Sequence, residues 1–183
     1  KSIIMKRAKI TWWDKFYGYI KLQSIKRYMN SLSIQPNYND KYIVYFLHVE
    51  PEASTQVCTV LESQLTIIKM LSETIPKGWY VYVKEHPVQF YVNNDRGYYH
   101  MFDAPLFKTK KFYKKINSMS NVRLVDIKTR SEELVKHSKA VASIVGTVFY
   151  ESILIKKPIL VFSDLNSTAY MNDSFSIHSY DDL

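Results

Sequence analysis

Three short polar segments each follow a run of apolar residues, and they hold the side chains best suited to chemistry. They span residues 48–55 (HVEPEAST), 84–87 (KEHP) and 143–151 (SIVGTVFYE). Histidine can donate to a phosphate or act as a general acid near neutral pH. Carboxylates can act as bases or nucleophiles, and a glycine corner lets the backbone approach a ligand. Together the three segments predict a site for a phosphate-bearing ligand.

The third segment carries the most specific of these patterns. Gly146 follows an apolar run and precedes Thr147, which is predicted to begin a helix whose first amides favour an anion. Glu151 lies one turn further along the same helix face, where a carboxylate can accept two ribose or sugar hydroxyls. The glycine-rich runs of a Walker loop and of a dinucleotide fingerprint are both missing. The alternative is a plain strand-to-helix turn with a solvated glutamate.

The first two segments supply the candidate acid and base. Pro87 biases His86 to an extended backbone, so that the imidazole is held rigidly at a strand end; the alternative is a structural histidine. Glu50 and Glu52 are candidates for a carboxylate that deprotonates an acceptor hydroxyl or attacks a sugar carbon. Glu52 also lies near a predicted helix start, where negative charge is favoured anyway. His48 either joins the site or packs in the core.

Composition narrows the class of partner. The chain has 183 residues, 46% of them hydrophobic, which is enough for one domain with a core. Its 25 Lys and Arg against 17 Asp and Glu give a net charge of +8, which favours an anionic partner such as a nucleotide, an acidic glycan or an anionic membrane surface. The basic residues do not form one stripe interleaved with aromatic residues, so nucleic acid is not an expected partner.

The remaining composition favours a cytoplasmic protein without a metal site. Cys58 is the only cysteine of the sequence, which excludes an intrachain disulfide and suits a reducing compartment. The spacing of the histidines predicts no metal site. No apolar run approaches the roughly 18 residues of a membrane span. We therefore expect a cytoplasmic location, including the inner face of the membrane, and no metal.

The elements that position these segments alternate between strand and helix, which predicts a parallel α/β sheet with helices on both faces. In such a sheet the loops at the carboxyl ends of the strands meet at one edge. We assign residues 1–40 to an N-terminal amphipathic helix with a linker and residues 41–183 to a Rossmann-like domain. Strands are predicted at 42–47, 79–83, 122–125, 141–145 and 159–162, and helices at 56–74, 108–119, 129–137 and 147–157.

Details of these elements are also predicted. Ser54 or Thr55 is expected to cap the helix over 56–74, and a capping box over 129–132 is expected to open another. Aromatic and aliphatic residues recur at three- and four-residue spacing over 11–32, which predicts an amphipathic helix. That helix either packs on the domain edge, lies on a membrane surface or contacts another domain.

The sequences HVEPEAS, KEHP and SIVGTVFYESILIKKPILVF resemble those of bacterial capsule polysaccharide biosynthesis proteins. These proteins are similar to the transferases that use CMP-activated acidic sugars, Kdo or sialic acid. The likeness covers about residues 41–165. The pattern G-T-x-x-x-E followed by K-P is widespread among glycosyltransferases of the two-domain GT-B type. The His-Pro pair also occurs in the polyol-phosphate polymerases of teichoic acid synthesis.

The resemblance implies a glycosyltransferase that moves a sugar from a CMP-linked donor to a glycan acceptor in surface polysaccharide synthesis, without a further cofactor. It implies two catalytic residues, Glu52 and His86. It also implies that the nucleotide contacts His86, Pro87, Ser143, Gly146, Thr147 and Glu151. A full GT-B enzyme has a second, N-terminal domain that binds the acceptor, so we expect this chain to be the donor half and inactive alone. The alternatives are a CDP-polyol phosphotransferase of the teichoic acid type and a non-catalytic glycan- or protein-binding domain.

Overall fold

A parallel β-sheet forms the centre of the chain. The computed structural model describes residues 11–51, 61, 63–91, 104–163 and 173–183. The strands are β1 (Tyr42–Phe46), β2 (Tyr80–Lys84), β3 (Val122–Val125), β4 (Ala140–Ser143), β5 (Ile159–Val161) and β6 (Ser174–Ser176). All neighbouring strands are parallel, in the order β3-β2-β1-β4-β5-β6. The predicted parallel sheet is confirmed, and β6 extends it by a strand for which the sequence pattern was weak.

Helices cover both faces of this sheet, as predicted. They are α1 (Trp12–Leu32), α2 (Gln64–Thr74), α3 (Lys110–Asn117), α4 (Ser131–His137) and α5 (Val148–Leu154), with 3₁₀ turns at Pro87–Phe90 and Tyr180–Asp182. Successive side chains of a strand point to opposite faces. Ile43 and Tyr45 therefore join one core cluster with α1, α2 and α3, while Tyr42 and Val44 join the other with α4 and α5.

The centre of the sheet is its topological switch point. From β1 the chain moves outward through β2 to β3, then returns to place β4 on the other side of β1 and continues outward through β5 to β6. The loops after β1 and β4 consequently leave in opposite directions and open a crevice between the carboxyl ends of these strands. Ligands of open parallel sheets bind in such a crevice.

Several predicted element ends are wrong. The helix α2 begins at Gln64, with the Ser63 hydroxyl accepting from the Thr66 amide, so a helix running unbroken from residue 56 is excluded; Ser54 and Thr55 lie outside the described residues. The expected capping box over 129–132 is absent, because Arg130 is the N-cap of α4 and makes no side-chain cap bond. The helix α5 ends at Leu154 rather than at residue 157, and Lys156 adopts a left-handed φ of 56°.

The predicted helix over residues 11–32 is confirmed as α1. Thr11 and Asp14 form a reciprocal capping box at its start, the Asp14 carboxylate accepting from the Thr11 amide at 2.8 Å. Its inward stripe, at intervals of three and four residues, consists of Gly18, Leu22, Ile25 and Met29. None of the described helices is long and apolar enough to cross a membrane.

Candidate functional site

A cavity of about 430 Å³ lies at the switch point and brings the three polar segments together. From the sequence-predicted set, it is lined by His86, Pro87, Ser143, Gly146, Thr147 and Glu151. Lys84, Glu85, His48 and Ser131 also contribute to its wall. The predicted meeting of the segments at one sheet edge is therefore observed, while the chemical role of each side chain stays a prediction.

The corner after β4 requires glycine because of its backbone conformation. Gly146 has a φ of +133°, a region that side chains with a Cβ rarely adopt, and an added Cβ would meet nothing within 4 Å. Thr147 is the N-cap of α5 and makes no side-chain cap hydrogen bond. Glu151 is exposed and borders the cavity one turn on. Since α5 has only seven residues, any attraction for an anion must come mainly from individual donors.

His86 presents a hydrogen-bond donor at this cavity. It is the N-cap of the 3₁₀ turn after β2, and the Val88 amide donates to its Nδ1 at 3.2 Å. A nitrogen that accepts a hydrogen bond carries no proton, so the proton of the neutral ring resides on Nε2. Pro87 occupies the first position of the turn and restricts the backbone there. The local fold thus selects the tautomer in which Nε2 can donate to an anion.

His48 has the opposite tautomer. The Val145 amide donates to His48 Nε2 at 3.3 Å, and Ser143 Oγ lies 3.0 Å from the same nitrogen. The neutral ring therefore carries its proton on Nδ1. Burial, with the charge of Lys108 and the nearby His86 adding to it, lowers the pKa of His48 to about 4. A neutral imidazole thus ties the end of β1 to the corner after β4.

The Ser143 hydroxyl also contacts the end of β1 and the corner after β4. It is buried, and its Oγ lies 3.1 Å from the Phe46 carbonyl and 3.2 Å from the Val145 carbonyl, in addition to His48 Nε2. One hydroxyl hydrogen can serve only one of these acceptors at a time. Ser143 lines the cavity as expected, but its hydroxyl already has protein partners on both strands.

A buried ion pair holds the backbone of the two histidines in place. Lys108 and Glu85 are both fully buried, and Lys108 Nζ donates to Glu85 Oε1 at 2.7 Å. Lys108 also donates to the His48 carbonyl, and the His86 amide donates to Glu85 Oε1 at 2.7 Å. Tyr113 donates from its hydroxyl to Glu85 Oε2 at 2.6 Å. The pair therefore fixes the loops after β1 and β2 relative to each other.

Lys84 fixes the loop after β3 through hydrogen bonds from its ammonium group. Its Nζ donates to the carbonyls of Asp126 and Ile127, and burial lowers its pKa to about 8. This contact holds the loop that leads into α4, whose first residue, Ser131, reaches the cavity. The Lys84 cation is thus used within the protein rather than exposed to solvent.

Of the two candidate carboxylates in the first segment, the structure describes Glu50 but not Glu52. Glu50 Oε1 accepts from Gln64 Nε2 at 2.6 Å, and the backbone of Glu50 exchanges hydrogen bonds of 2.8 and 3.1 Å with the Gln89 side chain. Its side chain is therefore committed to α2 and is not part of the cavity wall described above. Glu52 lies outside the described residues, so its catalytic role stays a prediction. Within the described ranges, no group of three or more potential ligands could hold a metal ion.

Sequence reasoning included Lys84 and Glu85 in the KEHP segment without giving them a role, and it missed Lys108 and Ser131 as parts of this region. Lys108 was expected as the first residue of the helix over 108–119, yet it is buried and lies outside the start of α3. The KEHP segment held a signal for Glu85, since a carboxylate directly before a strand-end histidine needs a partner if it is buried. The partner itself lies 23 residues away in sequence and could not be read from any local pattern.

Comparisons with known proteins identify the fold of this chain. No family model matches the chain, and no curated protein matches it in sequence. Among solved structures, the chain is similar to KpsC from Thermosulfurimonas dismutans, described as a beta Kdo 2,7 transferase, with a TM-score of 0.52, 16% identity and 90% of this chain covered. A second KpsC structure, a beta Kdo 2,4 transferase, has a TM-score of 0.52, 11% identity and 91% coverage. UDP-GlcNAc 2-epimerase from Methanocaldococcus jannaschii has a TM-score of 0.52, 14% identity and 90% coverage.

These three similarities each cover less than half of the other protein. The chain spans 47% and 49% of the two KpsC chains and 41% of the epimerase. All are GT-B-type proteins, in which two Rossmann-like halves form one molecule. The resemblance inferred from the HVEPEAS, KEHP and SIVGT segments is thus matched by the fold. This chain has the fold of a single Rossmann-like half of a GT-B protein.

Proposed function

We propose that this chain is the donor-binding half of a cytoplasmic glycosyltransferase that uses a CMP-activated sugar. The observation that supports it most is the convergence of the His86 Nε2–H donor, the Gly146 corner and the Glu151 carboxylate on one cavity at the switch point. The cavity volume of about 430 Å³ is in the range of small-ligand sites. The similarity to two Kdo transferases supports the reaction class at the level of fold.

Each element would have a distinct part in the transfer. The donor phosphate would lie between His86 and the backbone of residues 146–147, with Glu151 accepting from ribose hydroxyls. During transfer the bond between the sugar carbon and the phosphate oxygen breaks, and the acceptor oxygen forms a bond to that carbon. CMP leaves with the electron pair, and the His86 Nε2–H stabilises the charge on its phosphate. Glu52 would take the proton of the acceptor hydroxyl.

The acceptor is proposed to bind to a second half, because the chain spans about half of each similar protein. Binding of the donor can therefore be tested on this chain without a turnover assay. The chemistry of capsule or related surface polysaccharide suits the net charge of +8, since both the activated donor and an acidic glycan are anionic.

Calorimetric titration with CMP tests the proposal. We expect saturable binding that His86→Ala weakens by about tenfold or more, because a hydrogen bond to a charged group contributes roughly 1.5–3 kcal/mol. The matched control is His137→Ala, at a partly exposed histidine of α4 that contacts Glu133 rather than the cavity. Circular dichroism of each variant shows whether the fold is intact.

Absence of saturable CMP binding, or an equal loss in His86→Ala and His137→Ala, would contradict the proposal. A parallel titration with CMP-sialic acid and CDP-glycerol separates the sugar donors from the polyol donors of the alternative. A strong preference for CDP-glycerol would replace the glycosyltransferase assignment by a polyol-phosphate transferase that uses the same cavity.

A further inference from the structure

The first half of α1 has an outward apolar surface that the described part of its domain does not cover. We call this surface the aromatic face; it consists of Trp12, Trp13, Phe16, Tyr17, Tyr19 and Ile20. Trp12, Trp13 and Tyr17 are 63%, 60% and 66% exposed. The rings contact one another, with Trp12 stacked on Phe16 at a centroid distance of 5.6 Å. Contiguous exposed apolar patches of this kind mark interaction sites.

The aromatic face lies on the side of α1 that points away from the domain core. At about 100° per residue, the six side chains cover an arc of roughly 160° that is centred opposite the buried stripe of α1. In the second half of α1 the same outward arc is polar, occupied by Gln23, Ser24, Arg27, Asn30 and Ser31. The helix therefore has two apolar stripes. One packs on the domain, and the other, confined to the first nine residues of the helix, points away from it.

Lysines border the aromatic face and continue beyond it. On the same helical geometry, Lys15 and Lys21 lie at the two edges of the arc. Lys21 shares a surface groove with Lys110 of the neighbouring α3 and with Leu106, which is 65% exposed. The exposed lysines of α3 are Lys110, Lys111, Lys114 and Lys115. The sequence of α3 contains no acidic residue, so its exposed side beside this groove is cationic.

We infer that this surface binds an anionic lipid membrane, with the first half of α1 lying in the plane of the interface. Trp and Tyr combine an apolar ring with a polar N–H or O–H, which suits the boundary between acyl chains and headgroups. Lysines beside such a face are attracted by anionic headgroups. Protein interfaces also favour aromatic residues, but they are depleted in lysine. The lysine border therefore favours a membrane over a protein partner.

Vesicle flotation with the whole chain tests this inference. We expect it to float with vesicles that contain phosphatidylglycerol, to float poorly with phosphatidylcholine alone, and to lose binding as salt rises. Phe16→Ser should weaken binding by about tenfold. The matched control is Phe175→Ser, which removes a similarly exposed phenylalanine from the edge strand β6, 54% exposed against 43% for Phe16.

The contribution of the lysines to membrane binding is tested with two matched double variants. Lys111→Gln with Lys114→Gln should weaken binding by about fivefold for each lysine, because each lysine near an anionic surface contributes on that scale. Lys128→Gln with Lys136→Gln changes the same net charge at exposed positions on the α4 side and should leave binding nearly unchanged.

Three results would overturn the inference. These are a failure of the parent chain to float with anionic vesicles, an equal loss in Phe16→Ser and Phe175→Ser, and concentration-dependent dimerisation that Phe16→Ser abolishes. The last result, measured by sedimentation, would assign the face to a second copy of the chain. CMP titration of the same variants keeps this test independent of the proposed function, since none of these residues lines the cavity.

Discussion

Replacing Lys108 by methionine should lower the free energy of unfolding by about 3–5 kcal/mol, the cost of leaving one member of a buried ion pair without its partner. The geometry supports a value in this range, because both side chains are fully buried and 2.7 Å apart. Among the described residues, the substitution leaves the Glu85 carboxylate with its bonds from Tyr113 and the His86 amide. It also leaves the His48 carbonyl without the Lys108 donor.

The assay is urea unfolding followed by circular dichroism, with Lys69→Met as the matched control. Lys69 pairs with Glu73 on the surface at 3.7 Å, with side chains 61% and 51% exposed, so its loss should cost less than about 0.5 kcal/mol. The double variant Glu85→Gln, Lys108→Met should be more stable than Lys108→Met alone, because it removes the unpaired charge. If Lys108→Met costs no more than Lys69→Met, the reasoning about this pair is refuted.

Two further predictions concern the cavity itself. Because the pKa of His48 is about 4 in the folded protein and 6.5 in the unfolded chain, the unfolded state binds the extra proton and stability falls as pH drops from about 6.5 to about 4. The loss of unfolding free energy over this range approaches about 3 kcal/mol. Urea unfolding measured at several pH values should show a shallower pH dependence for His48→Gln than for the parent chain. An identical slope would contradict the assignment. Gly146→Ala should cost about 1–3 kcal/mol through its φ of +133° and weaken CMP binding. Gly78→Ala, at φ +85° and away from the cavity, should cost stability without changing CMP affinity.

The fold was predictable because its signals are local and repeated. Each strand is a short apolar run and each helix has its own periodicity, so their alternation predicted the parallel sheet before any contact was known. The strand over 122–125 was predicted with its observed bounds. The errors occur at helix ends, where one hydrogen bond decides the outcome. Ser63 accepts the cap bond of α2, and Thr129, although it resembles a cap residue in sequence, does not accept one for α4.

The site was predictable in position and not in its internal contacts. The rule that strand ends meet at one edge brought His86 and Gly146 into the same region. It could not show that Lys108, which lies 23 residues from Glu85 in sequence, joins Glu85 and the His48 carbonyl. Long-range pairs between single side chains leave no periodic trace in one sequence, and an exposed and a buried lysine look the same there.

The two histidines at the switch point illustrate why residue type alone does not define chemistry. His48 and His86 follow neighbouring parallel strands, β1 and β2, and both border the cavity. Backbone amides accept no proton and can only donate, so the amide that each ring meets decides its tautomer. The Val145 amide donates to Nε2 of His48, so that ring joins the two strand ends, whereas the Val88 amide donates to Nδ1 of His86 and the proton of that neutral ring resides on Nε2. Exchanging these roles would therefore require moving the backbone amide that donates to each ring, because that amide and not the residue type sets the tautomer.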